Sequence, residues 1–142
     1  TGKKLRGASA SFVHVPNGIP GVETRLPLLF SEGVVKGRIS LNQFVALTAT
    51  NPARLYGLYP RKGTIAIGAD ADLAIWNQTC EVIITNDMLH HNVDYTPYEG
   101  RKVTGWPETV LSRGEVVVQK GELKAKRGRG QFLECGPPDT NM

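Results

Sequence analysis

Apolar positions along the chain change period near residue 59. Between residues 23 and 58 they recur at helical spacing: Leu26, Leu29, Phe30 and Val34 step by three, one and four along one face. That pattern predicts a helix beginning near Val22, with Gly33 and Gly37 at or just past its end. Ser40 and Gln43 stand at capping-box spacing and predict a second helix, carrying Leu41, Phe44, Val45 and Leu47. In "TNPARLYGL", Asn51 reads as a cap, Pro52 as a first helical residue and Gly57 as a left-handed terminus, predicting a third.

After Tyr59 the period shortens to two. Ile65 alternates with Ile67, and Leu73 with Ile75; "EVIIT" at 81–85 is a further strand. "ETVLSRGEVVVQKGEL" predicts a β-meander turning near Gly114 and Gly121. About six short strands are expected over 59–123. Residues 86–107 are polar, aromatic and broken by Pro97, Gly100, Gly105 and Pro107, which predicts an irregular connection. From Lys124 onward the chain reads as a tail, and no internal repeat is present. The helices carry apolar faces without a sheet in their own segment, so they are expected to close a larger α/β body.

Composition narrows the class. At 142 residues with 40% hydrophobic content the chain is globular rather than disordered. No apolar run approaches the ~20 residues of a membrane span, and TGKKLRGASASF has no apolar stretch of a secretory signal. Lys plus Arg exceed Asp plus Glu by 17 to 13, a mild excess. Part of it lies in Lys3-Lys4-Arg6 and Lys124-Lys126-Arg127-Arg129, which lack interleaved aromatics and read as solvated ends, not as a nucleic-acid surface. Cys80 and Cys135 have no CxxC spacing and read as free thiols of a reducing, cytoplasmic compartment.

Few residues offer chemistry. His90-His91 with Asp94 is the sole metal-like cluster, but adjacent strand residues point to opposite faces, so polar loop residues are the stronger reading. Asp70-Ala-Asp72 lacks the further ligands of a calcium loop and reads as a surface turn. No GxSxG motif supports a nucleophilic serine. The loop "HVPNGIPG" is different: Pro16 and Pro20 fix φ, Gly18 and Gly21 admit unusual conformations, and Val15 is biased to extended geometry. An extended Asn17 would present its own N–H and C=O on one side, complementing a C=O beside an N–H on a cyclic imide or ureide. A structural turn capping the following helix explains the same residues equally well.

"PNGIPGVETRLP", "LYPRKGTIAIGADADLAIW" and "VDYTPYEGRKVTG" together resemble the C-terminal part of the dihydropyrimidinase/D-hydantoinase group of the amidohydrolase superfamily, over about residues 5–133. The resemblance implies an α/β fold: residues 1–58 as the last loop and closing helices of a (β/α)8 TIM-like barrel, 59–123 as part of a small β-sandwich, and 124–142 as a C-terminal tail. It implies a hydrolase that opens 5,6-dihydropyrimidines or 5-substituted hydantoins to N-carbamoyl amino acids, working as a cytoplasmic homotetramer on a small cyclic amide, with no membrane or nucleic-acid partner. It also implies two divalent metal ions, usually zinc, bridged by a carbamylated lysine, with a metal-held hydroxide attacking the ring carbonyl. The matching ligands lie earlier in the family's sequences, so this chain is expected to hold no metal ligand and no catalytic residue. Its one site residue by this resemblance is Asn17, whose main chain would bind the substrate ring.

Where the family often has Asp-Pro after the "IW" strand, this chain has Asn77-Gln78, an expected turn change. Tyr95, Tyr98 and the tail from Lys124 are the expected subunit contacts. Two other readings compete: a stand-alone, non-catalytic interaction module of the same ancestry, and a related amidase of the allantoinase or dihydroorotase type.

Overall fold

The computed structural model describes residues 11, 13 and 18–139. Among these, helical segments pack on a four-stranded antiparallel sheet of order β1-β2-β3-β4. Helix α1, Arg25–Leu29, runs on as a π-type turn through Phe30–Val35. Gly37 then stops it at φ 67°, and the amides of Arg38 and Ile39 fold back onto the Gly33 carbonyl at 2.8 and 3.2 Å. Pro27 sits in the first turn, where its missing N–H leaves no bond unmade.

Helix α2, Leu41–Val45, opens on the expected capping box: the Gln43 amide donates to Ser40 Oγ at 3.2 Å, and the Ser40 amide donates to Gln43 Oε1 at 2.8 Å. The third helix does not start afresh. Asn51 has helical backbone angles, and a π-type turn, Ala46–Thr50, joins α2 to α3, Asn51–Leu55. The wider turn makes room for Pro52, whose ring would crowd an ordinary helix one turn back. Gly57, at φ 64°, ends the run as its sequence suggested.

Four strands replace the expected six. Residues 65–67 form turns and loop, with Ile65 and Ile67 exposed. Strand β1, Leu73–Ile83, passes through Asn77-Gln78 unbroken. The irregularity there is a bulge, since Asn77 pairs with Trp106 and Glu81 with Thr104. Asn77 Oδ1 holds the bulge by accepting from the amides of Thr79 and Cys80 at 3.3 and 3.1 Å. Strand β2, Lys102–Ser112, takes in Gly105 and Pro107, so only 84–101 is the irregular connection. Strands β3, Glu115–Gln119, and β4, Glu122–Leu123, complete the meander.

Both tight turns are two residues long with positive φ at each: Arg113 at 50° and Gly114 at 79°, then Lys120 at 48° and Gly121 at 80°. That is the type I′ geometry whose twist suits a hairpin.

The helices do find a sheet, within this chain. α1 and its extension lie across β1 and β2. Phe30 stacks on Trp76 at 5.0 Å between ring centroids, and Phe44 meets both rings edge-on at 5.5 and 5.7 Å. Ile84, Leu89 and Val103 form a second buried knot, against which Leu28, Val82, Met88, Tyr98 and Trp106 pack. Ser31 is buried and accepts a hydrogen bond from the Thr104 amide at 3.0 Å, tying the helix to the strand.

Nor is the C-terminal segment free. Arg129 donates to the Ser112 carbonyl at 2.7 Å and pairs with Glu115 at 3.3 Å. Further on, the Gly136 amide donates to Gly57 O at 2.9 Å and the Asp139 amide to Arg54 O at 3.0 Å. These bonds occupy carbonyls at the end of α3. A side chain at Gly57 would begin 2.0 Å from the Gly136 carbonyl oxygen, so the close approach needs glycine there.

Gly105 gives the test of this packing. Its φ is 89°, and a Cβ there would lie 2.4 Å from the ring of Phe30, which Trp76 and Phe44 hold in place. Gly105→Ala is expected to destabilise the fold by roughly 2–4 kcal/mol, combining overpacking with left-handed strain. Gly100→Ala, at φ 78° with open space around it, should cost only the backbone part. Equilibrium denaturation of the two variants checks the difference; equal losses would refute it.

Candidate functional site

Asn17, the residue expected to read a substrate edge, lies outside the described residues, as do Pro16 and His14. Gly18, the first described residue of the loop after these, is exposed at φ 80° with nothing near a would-be Cβ. From Gly21 the chain is held firmly. The Gly21 carbonyl accepts from the Arg25 amide at 3.0 Å and from Thr24 Oγ1 at 3.4 Å, and Thr24 is buried. The loop therefore feeds directly into α1 without slack.

Beside it is an open cleft of about 490 Å³, lined by Ile19, Gly21, Val22, Arg25, Leu28 and Tyr98. Its walls are apolar and one guanidinium stands among them. Such a cleft can seat a small ring and offer backbone groups to it. Its lining holds no Ser, Cys, His, Asp, Glu or Lys side chain; Tyr98 brings its one phenol. Within the chain, Tyr98 packs on the Ile84 knot and faces Gly21, 3.8 Å from its would-be Cβ.

His90, His91 and Asp94 do not form a metal site. His90 Nδ1 meets Glu23 Oε1 at 2.8 Å, and its Nε2 meets the Gly121 carbonyl at 3.0 Å, so neither ring nitrogen is available. His91 Nε2 turns to Asn86 Oδ1 at 3.0 Å. Among the described residues no three His, Cys, Asp or Glu side chains converge as metal ligands. These residues do not fit the two-metal centre that the family resemblance implies, and no chemical step through a metal is assigned to them.

Asp70 and Asp72 hold a cation of the chain's own. Lys62 Nζ reaches Asp70 at 2.9 Å and also bonds Asp72; Arg61 adds a contact to Asp70 at 3.1 Å, and the Arg113 amide donates to Asp72 at 2.7 Å. The Lys62 hydrogen bond comes first in holding the Asp70 carboxyl below the usual range. For Asp72, burial pushes upward, but Lys62 and the Arg113 amide outweigh it and lower the pKa. Lys62 is pushed down by burial and raised, on balance, by its two carboxylates. The pair is thus a structural tie between the α3–β1 connection and the β2–β3 turn, as the surface-turn reading expected.

One pairing had no signal in the sequence: Glu23 with His90, 67 positions apart. Each lies in a stretch singled out in the sequence, but no spacing connects the two, and only the fold brings them together. No helix among the described residues is long and apolar enough to cross a membrane.

The sequence profile of the amidohydrolase family matches residues 13–117. The chain is similar to D-hydantoinase of Geobacillus stearothermophilus, 54% identical over 87% of this chain and 26% of that protein. It is similar to D-hydantoinase of Ralstonia pickettii, 48% identical over 94% of this chain and 29% of that protein. A crystal structure of D-hydantoinase from Bacillus sp. AR9 superposes with a TM-score of 0.85 at 47% identity, covering 93% of this chain and 28% of that one. The chain therefore spans between a quarter and a third of the length of these curated relatives.

The Lys62 tie predicts a pH effect. A depressed carboxylate stabilises the fold above its unfolded pKa of about 4 and loses that contribution as pH falls through the folded value. Lys62→Met should therefore lower the melting temperature at neutral pH, and the gap to the parent should narrow below about pH 4. Melts across that range check it; a gap that stays constant would count against the tie.

Proposed function

The chain belongs to the amidohydrolase family, and we propose that it serves as the C-terminal segment of a cyclic amidase that opens hydantoins or 5,6-dihydropyrimidines to N-carbamoyl amino acids. The observation that carries this reading is its identity of 54% to a D-hydantoinase over 123 residues, together with the family profile's match to residues 13–117, which include the loop and the cleft beside it. The role proposed for this segment is binding. Asn17 would present its backbone to the ring's imide edge, and Ile19, Val22 and Tyr98 would wall the cleft beside it.

Attack on the ring carbonyl needs an activated water, and among the described residues no three His, Cys, Asp or Glu side chains converge to hold a metal that would activate it. In this reading two divalent metal ions, held outside the described residues, provide that activation, and the segment alone is inactive. Ile65, Ile67, Ile75, Ile83 and Leu123 are exposed apolar side chains that suit contact with further protein. The barrel-end and β-sandwich assignments for residues 1–58 and 59–123, and assembly as a tetramer, belong to the same proposal.

Ring opening is the direct test: the protein carrying this chain, given hydantoin or dihydrouracil, should release the N-carbamoyl amino acid. Failure with both substrates, metal supplied, would leave a non-catalytic module as the better reading. Stripping the metal with a chelator should abolish turnover and adding zinc should restore it. Turnover unaffected by complete metal removal would refute the metal assignment.

The loop variants test the binding role. If the Asn17 main chain is the contact, Asn17→Ala should be mild. Gly18→Val should be severe, because valine resists the positive φ at that position. Losing a pair of hydrogen bonds at ~0.5–1.5 kcal/mol each corresponds to a fall of about one to two orders of magnitude in kcat/KM. The reverse ranking in steady-state kinetics would make the Asn17 amide side chain the contact.

A further inference from the structure

We propose that His90 is a positioning residue for the substrate loop, clamping the loop's exit onto the β3–β4 hairpin through Glu23. The clamp itself stands on geometry; that the loop it positions binds a cyclic amide rests on the function proposed above.

The Glu23 carboxylate is gripped twice by one residue. Its Oε2 accepts from the His90 backbone amide at 2.7 Å and its Oε1 meets Nδ1 at 2.8 Å. The far ring nitrogen, Nε2, meets the Gly121 carbonyl at 3.0 Å. A carboxylate and a carbonyl only accept, so both ring nitrogens must donate, and a neutral imidazole carries one N–H. Full closure of the clamp therefore needs the imidazolium. Each anchor is stiff: Gly121 sits in a type I′ turn, and Glu23 precedes buried Thr24, whose hydroxyl bonds back to Gly21. Only Val22 separates Glu23 from the Gly21 carbonyl that anchors the loop to α1. Displacement of Glu23 is thereby passed to Gly21 and on toward Gly18.

Other charges share the cavity of about 620 Å³ beside the ring. Asp87 comes from the short 3-10 turn Asn86–Met88, and Lys120 and Glu122 flank Gly121 on the hairpin. Glu122 is engaged by Lys124, and Lys120 is the cation that opposes a charged ring. Arg25 follows on the loop's own helix, and the neighbouring His91 is bonded to Asn86. The Glu23 hydrogen bond leads in raising the His90 pKa above its usual value, against a smaller opposing effect of burial. A raised pKa gives a contribution that is complete below the unfolded value of about 6.5 and is lost as pH rises through the folded one. The clamp is closed while His90 is protonated and opens as pH rises through its raised pKa.

The test uses the protein that carries this chain, with labelled histidine and glycine followed by NMR between about pH 5.5 and 9. Both His90 ring nitrogens should be protonated on the acid side of a midpoint that lies above about 6.5 and falls in Glu23→Gln. The Gly18 and Gly21 amide signals should titrate with that midpoint in the parent and lose it in the variant. In kinetics, KM for the cyclic amide should rise with pH along the same midpoint, and Glu23→Gln should raise KM by up to about tenfold, more than it lowers kcat. A midpoint at or below about 6.5, or one indifferent to Glu23→Gln, overturns the clamp. Glycine signals that ignore the His90 titration overturn the positioning role. If no cyclic amide is opened at all, the proposed function fails, while the two NMR readouts still decide the clamp and its reach.

Discussion

The contact of Phe30 with Gly105 is the constraint on which the rest of the arrangement depends. A helix can lie flat on two strands only if its large side chains find room. The absent side chain at Gly105 lets the Phe30 ring press against the β2 backbone. There the ring stacks on Trp76 and takes the edge of Phe44, so one aromatic joins α1, α2 and β1. The bond from the Thr104 amide to Ser31 lies next to it in both segments and keeps the register. Because α1 is fixed in this way, the loop that leads into it is fixed at its exit.

Around that contact, polar ties join elements far apart in the chain. Lys62 between Asp70 and Asp72 links the segment after α3 to the start of β1, and the Arg113 amide extends that tie to a hairpin turn. Arg129 and the amides of Gly136 and Asp139 return the C-terminal segment to β2 and to the end of α3. Glu32 pairs with Arg101 across 69 positions, at 3.1 Å. Pairs exposed to water contribute little singly. Their value here is geometric, because each holds a loop in one place relative to the aromatic centre.

The division of labour follows from what the described residues can do. The cleft by the loop has walls, backbone groups and one guanidinium, which are means of binding and orientation. The histidines and aspartates that could have suggested chemistry are committed to internal bonds. The chain belongs to the amidohydrolase family, and in the function proposed above those means serve binding while the reacting groups would lie outside the described residues.

Local rules were legible in the sequence because their causes are local. The Ser40–Gln43 box, the Gly37 and Gly57 stops and the two hairpin turns depend on residues within a few positions of one another. The motif series around "PNGIPGVETRLP" carried the family and, with it, the loop as the part to inspect. Tertiary packing decided the rest. Asn77 could have begun a turn; the pairing with β2 on either side of it made a bulge instead. Ile65 and Ile67 have the alternation of a strand, but among the described residues no strand lies beside them to complete the hydrogen bonds. Pro52 marked a helix start by its own rule, and a π-type turn absorbed it into a continuing helix. Glu23 and His90 meet only because the fold brings the entry to α1 against the irregular connection of residues 84–101, a contact across 67 positions that no local pattern encodes.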